Sequence, residues 1–239
     1  MRAATSARSR GFSLIEMAVV LFIVVLLLGS LLVPFATQVE QRRIAETQKT
    51  MEEIKEALIG FAIQQGRLPC PAISATDGHE QSPCSTQSGF VPWATLGVSK
   101  LDAWGHLFRY AVSPAFSSQA NPIRFDSAPT LTIKTRDAAG SLVNVTDLSS
   151  VPVVLLSYGP NGYGATNDDG STAAPVPAQN LDEANNAQPA PNAYITRPPK
   201  KAQVGCNDNG SPACEFDDIV GWLSPYVLFN RMVAAGRLP

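Results

Sequence analysis

Apolar residues are concentrated in one uninterrupted run near the start of the chain. The 23 residues between Glu16 and Glu40 carry no charge, which exceeds the roughly 20 residues that an α-helix needs to cross a hydrocarbon core. The run is also longer than the ~7–15 apolar residues of a secretory signal peptide, and no clean A-x-A-like cleavage site follows it. The pattern therefore predicts a transmembrane helix over residues 12–39.

The charges that flank this run predict its orientation. Arg2, Arg8 and Arg10 precede it, and the first ten residues contain no acidic residue. This favours a cytoplasmic N-terminus by the positive-inside rule, although Arg42 and Arg43 on the far side reduce the asymmetry. We therefore expect the chain to cross the membrane once, with its N-terminus in the cytoplasm.

Beyond Glu40 the pattern changes from uniformly apolar to amphipathic. Apolar residues recur with the spacing of one stripe along a helix. These positions are Ile44, Met51, Ile54, Leu58 and Phe61. Gly66, followed by Pro69, marks the end of the pattern. We predict an amphipathic helix over residues 40–66, and we expect its stripe to pack on a sheet of its own domain.

Short strand-like runs, separated by Gly, Pro, Asn and Ser, follow in a predicted globular head over residues 67–239. Each run contains β-branched or aromatic residues, as strands prefer. The runs are residues 107–112, 131–135, 142–145 and 151–157. Near the C-terminus, Ser224 and Pro225 are typical of the start of a helix, here running to Ala235 and closed by Gly236. A long N-terminal helix followed by a small antiparallel sheet is an α+β arrangement.

One stretch of the predicted head differs from the rest. Residues 159–203 are rich in Asn, Pro, Ala and Gly and show little periodicity. Such composition is typical of long loops. We predict a long, partly flexible surface insertion there.

Composition and charge exclude two classes of protein. The 239 residues are 45% hydrophobic and 16% charged, which argues against intrinsic disorder. The net charge is −2, from 18 basic and 20 acidic residues, so nucleic-acid binding is not expected.

No catalytic arrangement stands out in the predicted head. The motif G-x-S-x-G is absent, since Leu155 occupies the required Gly position before Ser157, and His79 is followed by no second histidine of H-E-x-x-H. The Asn/Asp-Gly clusters at 167–170 and 207–210 fit no EF-hand loop, and such clusters usually mark turns. We therefore do not expect an enzyme.

One acidic residue lies at the edge of the apolar run. A carboxylate near the end of a membrane helix is costly, so Glu16 either lies shallow enough to reach headgroup water or has a function. Its context is Gly11-Phe12-x-x-x-Glu16, directly between a basic leader and the apolar run. This arrangement resembles the class III signal of type IV pilins and pseudopilins.

The resemblance implies how the chain is processed. In that family a prepilin peptidase cuts after the glycine and methylates the new N-terminal residue. Here the cut falls between Gly11 and Phe12, so residues 1–11 are the leader and Phe12 becomes the methylated first residue. Its α-amine would pair with Glu16 of a neighbouring subunit, because an opposite charge offsets much of the carboxylate's desolvation cost. Loss of three arginines leaves 15 basic and 20 acidic residues, a net charge of −5.

The resemblance also implies a fold and partners. Family members have a pilin-like α+β fold, in which the long helix packs on a small antiparallel sheet. They are anchored in the inner membrane with the head in the periplasm, and they polymerise with other pilins or pseudopilins on an inner-membrane assembly platform. In secretion an outer-membrane secretin joins them. We therefore expect a pseudopilin-type structural subunit of a periplasmic pilus-like fibre for type II secretion, with no required cofactor.

Two other functions stay open. One is a minor type IV pilin in adhesion or DNA uptake, which a basic patch or an exposed aromatic face on the head would favour. The other is a membrane-tethered periplasmic binding or hydrolytic domain that keeps an uncleaved anchor.

All four cysteines follow the apolar run and would face the oxidising periplasm, which favours disulfides. Three pairings are possible. We favour Cys70 with Cys84 and Cys206 with Cys214, because each pair brackets a turn rich in Pro, Ser or Gly. A zinc site is the alternative, but the chain has no C-x-x-C and only two histidines.

Three segments resemble type II secretion major pseudopilins. They are LDAWGHLFRY from Leu101, SYGPNGYG from Ser157 and DDIVGW from Asp217. Those proteins bind a structural calcium ion in the loop between the last two segments. Carried over, the candidate ligands are Asn161 and Asp218, with backbone oxygens near Ser157. This sequence departs from the pattern, since Asn161 replaces the first acidic ligand and the loop is longer.

Overall fold

The computed structural model of the chain describes residues 13–145, 150–188, 193–209 and 213–238, except for the side chains of 28–35. The chain divides into two compact units, Met1–Arg43 and Ile44–Pro239.

Helix α1 spans Leu14–Gln65. Its end agrees with the prediction, because Gly66 adopts a φ of +71° and donates its N–H to the carbonyl of Ala62 at 2.8 Å. A residue in this left-handed conformation commonly closes a helix. Of the predicted amphipathic stripe, Met51, Ile54 and Leu58 are buried, and Ile44 and Phe61 are partly buried.

The remaining elements lie in the second unit and are mostly short. The other helices among the described residues are α2 (Trp93–Leu96), α3 (Pro114–Ser117), α4 (Leu181–Asn186) and α5 (Pro225–Ala234). The strands are β1 (Ser88–Phe90), β2 (Arg109–Val112), β3 (Thr132–Arg136), β4 (Leu142–Asn144), β5 (Val153–Ser157), β6 (Ala193–Ile195) and β7 (Ile219–Leu223).

These strands form two sheets. The larger sheet is antiparallel with the order β1-β2-β5-β7. In its register Leu155 of β5 lies between Tyr110 of β2 and Gly221 of β7. The smaller sheet has the order β4-β3-β6, in which β4 is antiparallel and β6 parallel to β3. The fold is therefore α+β, with an N-terminal helix and a four-stranded antiparallel sheet as in pilin-like proteins.

The main core of the second unit forms between α1 and the larger sheet. Ile54 and Leu58 of α1 belong to the same buried cluster as Tyr110 and Leu155 of the sheet. Burying an apolar side chain of this size contributes roughly 1.5–3 kcal/mol. The hydroxyl of Tyr110 donates to the carbonyl of Pro69 at 2.9 Å, so its polar end is satisfied inside this core.

The predicted strands are confirmed to within two residues at each end, as β2, β3, β4 and β5. The C-terminal helix is confirmed as α5, with Pro225 in its first turn and Leu228 and Met232 buried. Strands β1, β6 and β7 were not predicted. Two of them have only three residues, and Gly221 interrupts the pattern of the third.

The segment 159–203 differs from the predicted surface insertion. It contributes α4 and β6, and several of its polar residues are buried, including Asp182, Glu183 and Asn186. Asn186 packs against the outer edge of β6, donating its Nδ2 to the carbonyl of Ile195 at 2.9 Å and accepting that residue's N–H at 2.8 Å. Ala165 and Tyr194 of this segment join apolar clusters, but much of it is held by polar side chains, which explains its weak hydrophobic periodicity.

Candidate functional site

The predicted processing site lies at the edge of the described chain. Gly11 and Phe12, the predicted cleavage and methylation positions, fall outside the described residues and stay predictions. Glu16 is described and lies exposed in the first turn of α1.

Glu16 forms a capping box at the start of α1. Its Oε2 accepts a hydrogen bond from the backbone N–H of Ser13 at 2.8 Å, while the Oγ of Ser13 accepts the N–H of Ile15 at 3.3 Å. Such bonds satisfy N–H groups that have no partner within the helix. In the single chain, the Glu16 carboxylate therefore stabilises the start of its own helix.

The helix after Glu16 carries apolar side chains on all its faces. In the single chain the exposed large apolar side chains from Leu14 to Leu27 range from 42% exposure for Val24 to 92% for Leu14. A helix that is apolar all round is ordinarily buried in lipid or among other protein segments. This part of α1 therefore has the character of a contact surface.

Within the described part of the chain, no helix combines the length and the apolar character needed to cross a membrane. The predicted transmembrane segment 12–39 includes Phe12 and the side chains of 28–35, which lie outside the description. That segment stays a prediction.

A second site lies in the head, where three acidic side chains converge at the start of β7. Glu183, Asp217 and Asp218 each place one carboxylate oxygen within 4.8 Å of the others, and we call these residues the acidic cluster. Glu183 and Asp218 are buried and Asp217 is partly buried. Because like charges repel strongly when they are removed from water, protons or a cation must neutralise this cluster.

Segments distant in sequence build the acidic cluster. Asp217 and Asp218 immediately precede β7, and Glu183 lies in the first turn of α4. Gly159, just after β5, has a φ of +60°, and an added Cβ would lie 2.5 Å from the carbonyl oxygen of Asp217. Only glycine fits this position without strain, so the turn after β5 can approach the cluster closely.

Neighbouring amides orient the Glu183 carboxylate. Its Oε1 accepts the backbone N–H of Asp217 at 2.9 Å, and both oxygens accept the Nδ2 of Asn161, at 3.2 and 3.3 Å. The Nδ2 of Asn180 also donates to Glu183 Oε2, at 2.5 Å. Asn161 further donates its backbone N–H to Asp217 Oδ2 at 3.1 Å. The cluster is therefore held by bonds from three separate loops.

Asp218 is buried in the acidic cluster, with 5% exposure. Its Oδ2 accepts the Nδ2 of Asn186 at 2.8 Å, whereas its Oδ1 has no hydrogen-bond partner among the described residues. Burial raises the pKa of Asp218 well above its ordinary value, and the neighbouring charges of Glu183 and Asp217 raise it further against the bond from Asn186. Burial also raises the pKa of Glu183.

The donor set of the acidic cluster fits a hard divalent cation. Ca²⁺ takes about six to eight oxygen ligands, mostly from carboxylates, carbonyls and amides. Asp218 Oδ1 is an unused acceptor, and Asn180 Oδ1 is another buried oxygen without a hydrogen-bond partner among the described residues. A buried oxygen left unpaired is costly, and a cation at the cluster would satisfy that of Asp218. Glu183, Asp217 and Asp218 are the side chains that would hold it.

The two predicted ligands both lie at the acidic cluster but contribute differently. Asp218 offers an open oxygen, while Asn161 turns its Nδ2 toward Glu183 and accepts the N–H of Tyr163 on its Oδ1 at 2.9 Å. Glu183 and Asp217 are absent from the prediction. Glu183 belongs to the stretch predicted as a loop, and the only signal for Asp217 was its place beside Asp218.

A separate buried group joins Ser157 and His106 through Asp102. Ser157 Oγ donates to Asp102 Oδ2 at 2.6 Å, and His106 Nδ1 lies 3.7 Å from the same oxygen. The backbone N–H groups of Trp104 and His106 donate to Asp102 Oδ1. An activated serine must contact the histidine, whereas here both side chains face the carboxylate. Asp102 therefore organises the turn that carries Trp104.

Two disulfides close local loops in the second unit. Cys70 is bonded to Cys84 and Cys206 to Cys214, which is the favoured pairing. The described part of the chain has no free cysteine.

Comparison with known proteins identifies the N-terminal segment. A family model described as the prokaryotic N-terminal methylation motif matches residues 6–32. Neither a curated protein nor a solved structure matches the chain. The matched residues include Gly11, Phe12 and Glu16, together with the first part of the apolar run. The chain therefore carries the prepilin-type signal of type IV pilins and pseudopilins.

Proposed function

We propose that this protein is a pseudopilin-type structural subunit, processed by prepilin peptidase and assembled into a periplasmic pilus-like fibre for type II secretion. The observation that carries the proposal is the methylation motif at residues 6–32. The apolar side chains of α1 that are exposed in the single chain support it, because lipid would cover them before assembly and neighbouring subunits afterwards.

The proposed topology follows from the charges around the apolar run. The protein is anchored once in the inner membrane, with its N-terminus in the cytoplasm and its head in the periplasm. Its partners are prepilin peptidase, other pseudopilins, the inner-membrane assembly platform and the outer-membrane secretin. Its work is mechanical: α1 packs between subunits, Glu16 registers each addition, and the head forms the fibre surface.

Intact-mass analysis of the membrane-extracted protein tests the processing step. We expect loss of residues 1–11 and gain of one methyl group on Phe12. The same protein from a strain without prepilin peptidase is the control and keeps its full length. A full-length or Ala36-cleaved product in the normal strain would contradict the proposal and favour an uncleaved anchor or an ordinary signal peptide.

Secretion assays separate the type II role from that of a minor type IV pilin, since both are processed alike. Deletion of the gene is expected to abolish secretion of type II substrates and to leave adhesion and DNA uptake unchanged. Normal secretion together with loss of adhesion or DNA uptake would assign the protein to a pilus instead.

We further propose that the acidic cluster holds a structural calcium ion. The observation that carries this second proposal is the unpartnered, buried Oδ1 of Asp218 beside two further carboxylates. The ion would neutralise the cluster and join α4 to the start of β7. Calorimetric titration of the full chain with Ca²⁺ tests it, and Asp218→Asn is expected to abolish binding. Absence of binding to the unaltered chain would refute the proposal.

A further inference from the structure

The Cys206–Cys214 disulfide closes a loop that contains a wholly buried acidic residue, Asp208. Asp208 Oδ1 accepts the backbone N–H of Cys214 at 2.9 Å and an N–H of Arg197 at 3.0 Å. Arg197 also donates to the carbonyl of Cys214 at 3.1 Å. Closure of the loop by Cys206 and Cys214 therefore fixes where the Asp208 carboxylate lies.

The second oxygen of Asp208 reaches α4. Asp208 Oδ2 accepts the backbone N–H of Asp182, in the first turn of that helix, at 3.0 Å. The Asp182 side chain is wholly buried and is bound by Arg136 of β3 at 2.7 Å and by Arg197 at 2.8 Å. The sulfur of Cys214 lies 3.3 Å from the carbonyl oxygen of Gln179, just before α4. Asp208 thus holds the start of α4 directly at the backbone of Asp182 and, through their shared partner Arg197, also at its side chain.

Two adjacent residues of α4, Asp182 and Glu183, connect these contacts to the acidic cluster. Successive residues of a helix point in different directions, and here Asp182 faces the arginines while Glu183 faces Asp217 and Asp218. A shift of the helix start would therefore move the Glu183 carboxylate relative to the other two. α4 has only six residues, and a helix this short has little stability of its own.

We propose that the Cys206–Cys214 disulfide and Asp208 act as a clamp that positions Glu183 in the acidic cluster and so sets its affinity for a cation. The part of this inference that concerns the cation rests on the proposed calcium site. Cys206, Cys214 and Asp208 touch no cation ligand directly and are positioning residues.

The other disulfide is a matched control. Cys70 and Cys84 also close a short loop, and their sulfurs contact Ser117. The hydrogen bonds described for that loop link it to Arg67, Thr95 and Ser117. Removing either disulfide frees a short loop in the unfolded chain, so both replacements are expected to lower the melting temperature. Only one of them should alter the cation site.

Calcium affinity of the full chain in detergent tests the clamp. The double variant Cys206→Ser/Cys214→Ser is expected to bind Ca²⁺ about tenfold or more weakly than the unaltered chain, as is usual when support behind a ligand is lost. Asp208→Asn, which keeps the disulfide, is expected to weaken binding in the same direction. Cys70→Ser/Cys84→Ser should keep the original affinity. Unchanged affinity in the first variant, or equal loss in both double variants, would overturn the proposal.

Hydrogen exchange without added metal separates this proposal from that of the calcium site. Amides of residues 181–186 are expected to exchange faster in Cys206→Ser/Cys214→Ser and at the normal rate in Cys70→Ser/Cys84→Ser. If the unaltered chain binds no Ca²⁺ but this exchange difference appears, the calcium site fails and the clamp on α4 stands. If exchange at 181–186 is the same in all three proteins, the clamp fails whatever the affinity for Ca²⁺.

Discussion

At the scale of single residues, Glu16 has a partner within its own chain and a proposed partner outside it. Its Oε2 accepts the N–H of Ser13, and in the proposed fibre the carboxylate also pairs with the α-amine of Phe12 of a neighbouring subunit. An ionised carboxylate has about four acceptor positions, so both contacts can exist together. The two contacts of Glu16 need different properties of its side chain. Helix capping needs only an acceptor oxygen, whereas pairing across subunits needs the negative charge.

Two substitutions at Glu16 separate these contributions. Glu16→Ala is expected to leave cleavage after Gly11 largely intact but to block fibre assembly, because the charge is lost. Glu16→Gln keeps an oxygen for the cap, which glutamine also provides in capping boxes, and is expected to block assembly equally. Immunoblots of the processed form and electron microscopy of sheared fibres measure the two steps. Normal fibres from the glutamine variant would show that charge pairing is not required.

A second residue pair, in the head, illustrates a partly buried charge that is well partnered. The two terminal guanidinium nitrogens of Arg67, Nη1 and Nη2, each donate to Glu80 at 2.8 Å, and the backbone N–H of Cys70 adds a bond at 3.0 Å. Burial alone would raise the pKa of Glu80, but the bonds from Arg67 and Cys70 together outweigh it and hold that pKa below the ordinary 4.5. The pair therefore stabilises the folded state in its charged form.

Stability of the head is expected to depend on pH through Glu80. Because its pKa is lower in the folded state, its contribution is complete above the ordinary value of 4.5 and is lost as the pH falls through the folded-state value. Glu80→Gln should cost about 1–3 kcal/mol at pH 7, and the difference from the unaltered protein should shrink near pH 3. Urea unfolding at both pH values measures it.

Glu56→Gln is the control for this pH dependence. Glu56 also pairs with an arginine, Arg231, at 2.8 Å, but its side chain is 62% exposed, and exposed pairs contribute little. Its replacement should change stability only slightly at either pH. A loss in Glu80→Gln that stays constant with pH would mean that packing, not charge, explains the effect.

At the scale of elements, the stability of the head depends on the contact between α1 and the larger sheet. Leu58 is fully buried in the core that these elements share. Leu58→Ala is expected to cost about 2–5 kcal/mol, because it removes buried methyl groups and leaves a cavity. Leu142→Ala on β4, where the side chain is 42% exposed, should cost much less. Urea unfolding of both variants checks this, and equal losses would contradict the described packing.

Whether an element packs through an apolar face decides whether it could be predicted from the sequence. Apolar periodicity predicts the elements in which one apolar face packs on another. These are the stripe through Met51, Ile54 and Leu58 and the apolar runs of β2 and β5. α4 and β6 leave no such pattern, since Asp182, Asn186 and their neighbours are held by ion pairs and amide bonds. Those bonds join residues far apart in sequence, and spacing along the chain cannot disclose them.

The two candidate sites also differ in whether the sequence can predict them. Glu16 and the residues before it form a contiguous motif that can be recognised within a few positions of sequence. The acidic cluster brings together Glu183 and the Asp217–Asp218 pair from different segments. Glu183 can be assigned to the cluster only when the position of α4 in the fold is known. Resemblance pointed to Asp218, but the role of Glu183 depends on the fold.

At the scale of the whole molecule, the two units differ in where their apolar residues lie. The second unit buries them in a core around the larger sheet and is further held by two disulfides. In the first unit the described apolar residues are exposed in the single chain. The proposed removal of residues 1–11 would shift the net charge from −2 to −5, because three arginines would be lost. In the proposed mature protein an apolar helix would be followed by an acidic head, and a divalent cation bound to that head would reduce its negative charge.

Binding of calcium is therefore expected to stabilise the head as a unit. A ligand that binds only the folded state at 100 times its dissociation constant adds about 2.7 kcal/mol, which raises the melting temperature of a domain of this size by roughly 5–10 °C. Differential scanning calorimetry of the full chain in detergent, with Ca²⁺ against chelator, measures the shift. Asp218→Asn should remove the response without lowering stability in chelator, since it replaces a buried carboxylate by a neutral group that can still accept the Asn186 bond. Mg²⁺ should act more weakly, because it demands a tighter octahedral shell. An equal response of the variant to Ca²⁺ would place the ion elsewhere, and no response of the unaltered chain would rule it out.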